Sequence, residues 1–74
     1  MTLAEIPKES KAKIVAVLDS EVELKLVEFG LLPGSEFEVI NRAPLGGPIY
    51  IRIGQNAISL RKREAKTITV EYIV

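Results

Sequence analysis

Few side chains in this sequence are equipped for chemistry. Its 74 residues contain ten carboxylates, ten lysines and arginines and some hydroxyls, but no histidine and no cysteine. That inventory removes imidazole bases, thiol nucleophiles, disulfide staples and thiolate metal sites together. The carboxylates Glu5, Glu9, Asp19, Glu21, Glu23, Glu28, Glu36, Glu38, Glu64 and Glu71 fall on expected polar faces or turns. Glu36 and Glu38 come nearest to a pair, on one face of a strand, where exposed carboxylates are solvated and not catalytic. A tight transition-metal site draws on imidazole or thiolate, and no acidic loop has the spacing that calcium or magnesium requires. Any Fe²⁺ site is therefore expected to be weak or shared with another protein. No catalytic, cofactor-binding or metal-ligating residue is assigned.

Two stretches remain. "APLGGP", residues 43–48, packs two prolines and two glycines around a single apolar side chain, Leu45. Proline cannot donate to a β-ladder, so Pro44 and Pro48 limit the pairing on either side, while Gly46 and Gly47 permit positive φ. The loop either simply reverses the chain or holds Leu45 out stiffly as an anchor, which lowers the entropy lost on binding. The loop fits a phosphate cradle poorly: the P-loop needs a lysine and a hydroxyl after its second glycine and then a helix, and here no lysine is present and a strand follows. The basic cluster "RKRE", residues 61–64, ends in its own glutamate, and two Tyr and two Phe give little for bases to stack on. A solvated turn with local ion pairs is expected there, with no nucleic-acid partner.

The elements that carry these stretches follow from periodicity. "TLAE" has Thr2 and Glu5 at capping-box spacing, and Pro7 limits it to one helical turn. "AKIVAVL" is short and β-branched, which predicts a buried strand. Ser20 and Glu23 repeat the capping-box spacing. Val22, Leu26 and Phe29 recur at i, i+4 and i+7, widened by Val27, so a helix is predicted over about 20–29. Gly30 suits its left-handed end, and Pro33-Gly34 the centre of a type II turn. Four stretches then alternate with a period of two: "SEFEVINR" with Phe37 and Val39 inward, "PIYIRIG" with Ile49, Ile51 and Ile53, "AISLR" with Ile58 and Leu60, and "TITVEYIV" with Ile68, Val70, Tyr72 and Val74. "RKREA" is expected to form a helical or 3₁₀ turn. Five short antiparallel strands cannot bury a core while flat, so the prediction is a mainly β fold. It is a small barrel in one domain over residues 1–74, with one helix between the first two strands.

The 47% apolar content lets such a core hold on packing alone. The longest apolar run, Ile14 to Leu18, is far short of the ~20 residues that span a bilayer, so no membrane insertion is expected. The opening "MTLAEIPKES" has no apolar stretch of a signal peptide, and the reading is a soluble cytoplasmic protein. Zero net charge gives no field that attracts nucleic acid or anionic lipid.

In order and spacing, "TLAEIP", "LVEFGLLPGSEFEVINRAPLGGPIYIRIG" and "AISLRKREAKTITVE" resemble the ferrous iron transport protein A (FeoA) family over nearly the whole chain. The most specific pieces are Gly30-Leu31-Leu32-Pro33-Gly34, Ala43-Pro44-Leu45-Gly46-Gly47-Pro48, and Leu60-Arg61 followed by Glu64-Ala65. The resemblance implies an SH3-like barrel and a small cytoplasmic accessory of the ferrous iron transport protein B family, permeases with a GTP-binding domain. Two departures stand out. Family members often have a glycine in the turn before the first strand, where this chain has Lys8-Glu9-Ser10, and Ser59 replaces the usual alanine. The expected partner surface is the loop at Pro44, Leu45, Gly46 and Gly47 together with Leu31, Leu32, Pro33 and Gly34. Two other classes stay open on the sequence: a sensor that binds a divalent transition metal directly, and a peptide-binding SH3-like adaptor that works by strand addition or a groove.

Overall fold

The computed structural model describes residues 1–73; the expected inward position of Val74 lies outside them. A 3₁₀ turn at Leu3–Glu5 leads into strand β1 (Lys11–Val17), helix α1 (Ser20–Glu28), β2 (Glu36–Arg42), β3 (Ile49–Ile53), β4 (Asn56–Leu60), the short helix α2 (Lys62–Ala65) and β5 (Ile68–Tyr72). The strands form one antiparallel sheet in the order β4-β3-β2-β1-β5. Register shifts between Ile14 and Ala16 on β1 and between Val39 and Asn41 on β2 bend the sheet so that it curls.

The curl brings one face around a single core of Leu3, Ile6, Ala12, Ile14, Val22, Leu26, Leu31, Phe37, Val39, Ile49, Ile51, Ile58, Leu60, Ala65, Ile68 and Val70. Among the described residues the barrel expected from the sequence is not closed by hydrogen bonds, because β4 and β5 end the strand order with no ladder between them. The first residues and α2 lie where the barrel stays open. Thr2 bridges to Thr69, the Val70 N–H donates to the Met1 carbonyl (2.9 Å), and Leu3, Ile6 and Ala65 enter the core.

The period-two expectations hold for β2, β3 and β4, apart from Ile53, which is half-buried. Other expectations need correction. β1 alternates and is not buried on both faces: Ala12 and Ile14 are inside, while Val15 is exposed. Tyr72 is exposed because β5 runs past the core at its end. The cap of α1 is Asp19 and not Ser20. The Asp19 Oδ1 accepts from the N–H groups of Glu21 (2.9 Å) and Val22 (3.2 Å), a charged acceptor where the helix dipole favours one. Phe29 does not continue the buried stripe of Val22 and Leu26, because it is the C-cap and is exposed.

At the N-terminus, Glu5 accepts from both the Thr2 N–H (2.9 Å) and the Thr2 hydroxyl (3.2 Å), which holds its carboxyl below the usual carboxylate range. The Arg42 guanidinium reaches from the end of β2 to the carbonyls of Ile6 and Ala4 (2.7 Å to Ala4). That fork pins the N-terminal segment to the sheet.

Candidate functional site

The sequence nominated one surface made of two turns. The structure places those turns at opposite ends of β2, whose seven residues at about 3.3 Å each set them roughly 20 Å apart along the strand. They do not form one surface.

The first turn follows α1. The Gly30 N–H donates to the Val27 carbonyl (3.0 Å) and the Leu31 N–H to the Leu26 carbonyl (2.9 Å), with Gly30 at φ +83°. This is the Schellman termination, and it normally brings the residue after the glycine onto the last turn of the helix. Leu31 is accordingly buried with Leu26, so its side chain is withdrawn from any partner, contrary to its nomination. Leu32 to Ser35 form the expected type II turn: the Ser35 N–H donates to the Leu32 carbonyl (2.8 Å), and Gly34 has φ +92°. Leu32 remains exposed, with its own N–H held by the Ser35 hydroxyl (2.9 Å).

At the far end of β2 stands the hairpin tip. The Ala43 N–H donates to the Pro48 carbonyl (2.9 Å) and the Gly47 N–H to the Pro44 carbonyl (3.2 Å). Leu45 has φ +60° and Gly46 φ +73°. Two successive left-handed residues inside a four-residue hydrogen bond make a type I′ turn, whose first central position normally goes to Asn, Asp or Gly. Leucine there is strained by roughly 1–2 kcal/mol. Its side chain gains nothing in return within the chain, with a relative exposure of 103%.

The two glycines that follow Leu45 do different jobs. Gly46 supplies the second left-handed residue, and a β-carbon on it would lie 3.8 Å from the Lys62 side chain, so α2 reaches the tip. Gly47, expected to need positive φ, does not. It is required for space, since a β-carbon there would sit 2.7 Å from that of Ala43.

Behind the tip, the basic cluster forms α2 as the turn expected from "RKREA". Its Glu64 accepts from the Arg61 N–H (2.8 Å) and pairs with Lys25 of α1 (3.2 Å), which ties the two helices together. Burial pushes the Glu64 carboxyl up, but the Arg61 N–H, Lys25 and Arg63 together outweigh it and leave the group below its usual range. Asp19, Glu21, Val22, Arg63, Glu64 and Thr67 line the cleft between the helices. Elsewhere Glu38 faces Arg52 (3.8 Å) and Glu71 faces Lys13 (3.0 Å), so these carboxylates sit in surface ion pairs. Among the described residues, no three His, Cys, Asp or Glu side chains cluster as metal ligands.

The sequence reading missed Arg42 and Leu24. Arg42 follows the alternation of β2, and nothing in the pattern reveals its reach to the N-terminal segment. Leu24 stands at a helical position between the buried Val22 and Leu26 and is 63% exposed. Its place off the i, i+4 stripe was the available signal.

Comparison with known proteins adds four relationships. The FeoA domain family model matches residues 1–72. An Fe(2+) transport protein A/Fe(2+) transporter FeoB fusion protein of Porphyromonas gingivalis is 38% identical over 74 residues, which is 99% of this chain and only 9% of that protein. Among solved structures, iron(II) transport protein A of Clostridium thermocellum is 43% identical with a TM-score of 0.89, over 99% of this chain and 46% of that one. FeoA of Stenotrophomonas maltophilia, complexed with zinc and described as an SH3 domain protein, is 30% identical with a TM-score of 0.82, over 96% of this chain and 89% of that one.

Proposed function

Because this chain belongs to the FeoA domain family, we propose that it is an accessory protein of ferrous iron uptake, docking on the cytoplasmic GTP-binding part of a FeoB-type permease. It acts by contact and not by catalysis. One observation carries the reading: a fully exposed leucine is held at positive φ on a stiff two-residue turn, a cost that the fold does not recover. An apolar anchor fixed in advance loses little entropy on entering a pocket, which is what a hot spot requires. The covalent joining of the two modules in the P. gingivalis relative supports the choice of partner.

Iron in this reading is handled by the permease. The side chains offer no imidazole or thiolate, and anaerobic calorimetry with Fe²⁺ should reveal no site tighter than micromolar, an order-of-magnitude bound from the ligand set. The docking itself is tested by titrating the wild type and Leu45→Asp against the permease's cytoplasmic domain. Binding by the wild type with at least tenfold weakening in the variant is expected. Equal affinities remove Leu45 from the interface, and no binding by the wild type overturns the adaptor reading.

A further inference from the structure

Helix α1 is apolar on two sides. Val22 and Leu26 face the core. At about 100° per residue, Leu24 falls directly opposite them, with Ser20 and Val27 beside it on the outward side. There they line a shallow open depression together with Glu21 and Glu23. Leu24 is 63% and Val27 45% exposed. A surface helix ordinarily turns a polar side to water, so this outward stripe is unpartnered in the isolated domain.

The charges around the stripe are all of one sign. Glu23 flanks it on one edge, and Glu21 and Glu28 on the other. Lys25, the single cation of the helix, points away to α2, where Glu64 holds it. Arg63 shares the interhelical cleft with Asp19 and Glu21, but among the described residues it forms no ion pair with either within 4.0 Å.

We infer that this face receives an amphipathic helix of the partner protein whose apolar stripe is flanked by lysines or arginines. An apolar seam with charges along its edges is the arrangement by which paired helices choose partner and orientation. The same flanks argue against a second copy of this chain, because two such faces would set glutamate against glutamate. The surface lies on α1 and is distinct from the Leu45 hairpin, so the two could engage one partner at separate points. The identity of that partner rests on the permease reading, whereas the chemistry of the face does not.

The test has two arms. In the first, the ¹⁵N-labelled domain is titrated with a synthetic 18-residue helix carrying a leucine stripe flanked by lysines, and with its twin carrying glutamates in place of the lysines. Amide shifts gathered on residues 20–28, given by the lysine peptide alone and weakened several-fold between low and 0.5 M salt, are expected. Shifts centred on β4 or on the hairpin, or equal responses to both peptides, would overturn the inference.

In the second arm, Leu24→Asp is compared with the wild type against the permease's cytoplasmic domain, both folds being verified by their amide spectra. At least tenfold weaker binding is expected. Unchanged affinity removes α1 from that interface and leaves the permease reading intact. Failure of the wild type to bind, with the lysine peptide still mapping to α1, removes the permease and leaves the helix-binding face.

Discussion

Replacing Leu45 should stabilise the domain while disabling it. The side chain is fully exposed, so Leu45→Gly removes no buried contact. It relieves the left-handed strain at φ +60°, worth roughly 1–2 kcal/mol. Against that, glycine enlarges the unfolded ensemble at a cost of about 0.5–1 kcal/mol. The balance is a gain of about 0–1.5 kcal/mol. Leu45→Asn, which tolerates the left-handed region without glycine's entropy, should gain about 1 kcal/mol. For a domain of this size each kcal/mol moves Tm by about 4–8 °C, so the asparagine variant should melt visibly higher. Urea unfolding gives the free energies, and an unchanged slope shows that the unfolded state has not altered in compactness. Binding to the permease domain should weaken at least tenfold in both variants. A loss of more than about 1 kcal/mol on Leu45→Asn, a margin set against ordinary mutational scatter, would show that the leucine packs somewhere and would refute the reasoning.

Three further outcomes follow from other contacts. Glu9 is the second non-glycine residue at positive φ (+73°) among the described residues, so Glu9→Gly should raise stability by about 0–1.5 kcal/mol in urea unfolding and leave partner affinity unchanged. Arg42→Lys keeps the charge but loses the fork to the Ile6 and Ala4 carbonyls, and should cost about 1–3 kcal/mol, with faster amide exchange at the N-terminal segment. Glu64 titrates below its ordinary value of 4.5 in the folded state, so its contribution is complete above that pH and fades as pH falls through the lower folded value. Glu64→Gln should therefore cost about 1 kcal/mol at pH 7, and its difference from the wild type should shrink as pH falls below 4.5 in paired urea curves.

What could be read in advance was whatever the chain encodes locally. The strand faces of β2 to β4 follow from alternation, the end of α1 from Gly30, and the type II turn from Pro33-Gly34. Each depends on residues within a few positions of one another. The failures share a different cause. Leu31 looks like part of an exposed leucine pair until the Schellman hydrogen bonds turn it inward. Ser20 has the spacing of a cap, but Asp19 offers an ionised oxygen one residue earlier and wins the position. The two nominated turns are close in sequence, yet an intervening strand necessarily holds its ends apart. Barrel closure depends on the meeting of the first residues, α2 and the edge strands, and no local pattern reports it. The left-handed state of Glu9 falls in the turn where resembling sequences often carry glycine, so the departure was visible but its meaning was not.

Glu9 and Leu45 together decide whether backbone strain in this domain speaks of function. Both are exposed and left-handed, and both could be glycine. The Glu9 N–H, however, donates to the Val39 carbonyl (2.7 Å), beside the Val39 N–H that donates to the Ser10 carbonyl (2.9 Å). Its conformation therefore sets the register with which β1 meets β2, and its polar side chain is content in water. Leu45 closes a turn that asparagine or glycine would close at lower cost, and it presents an apolar side chain to solvent. Strain at Glu9 serves the fold; strain at Leu45 has no such use within it, which is what the docking proposed for that side chain requires. The two substitutions to glycine should thus agree in stability and part in binding, Glu9→Gly retaining the partner and Leu45→Gly losing it. If both retain it, the hairpin is only a turn.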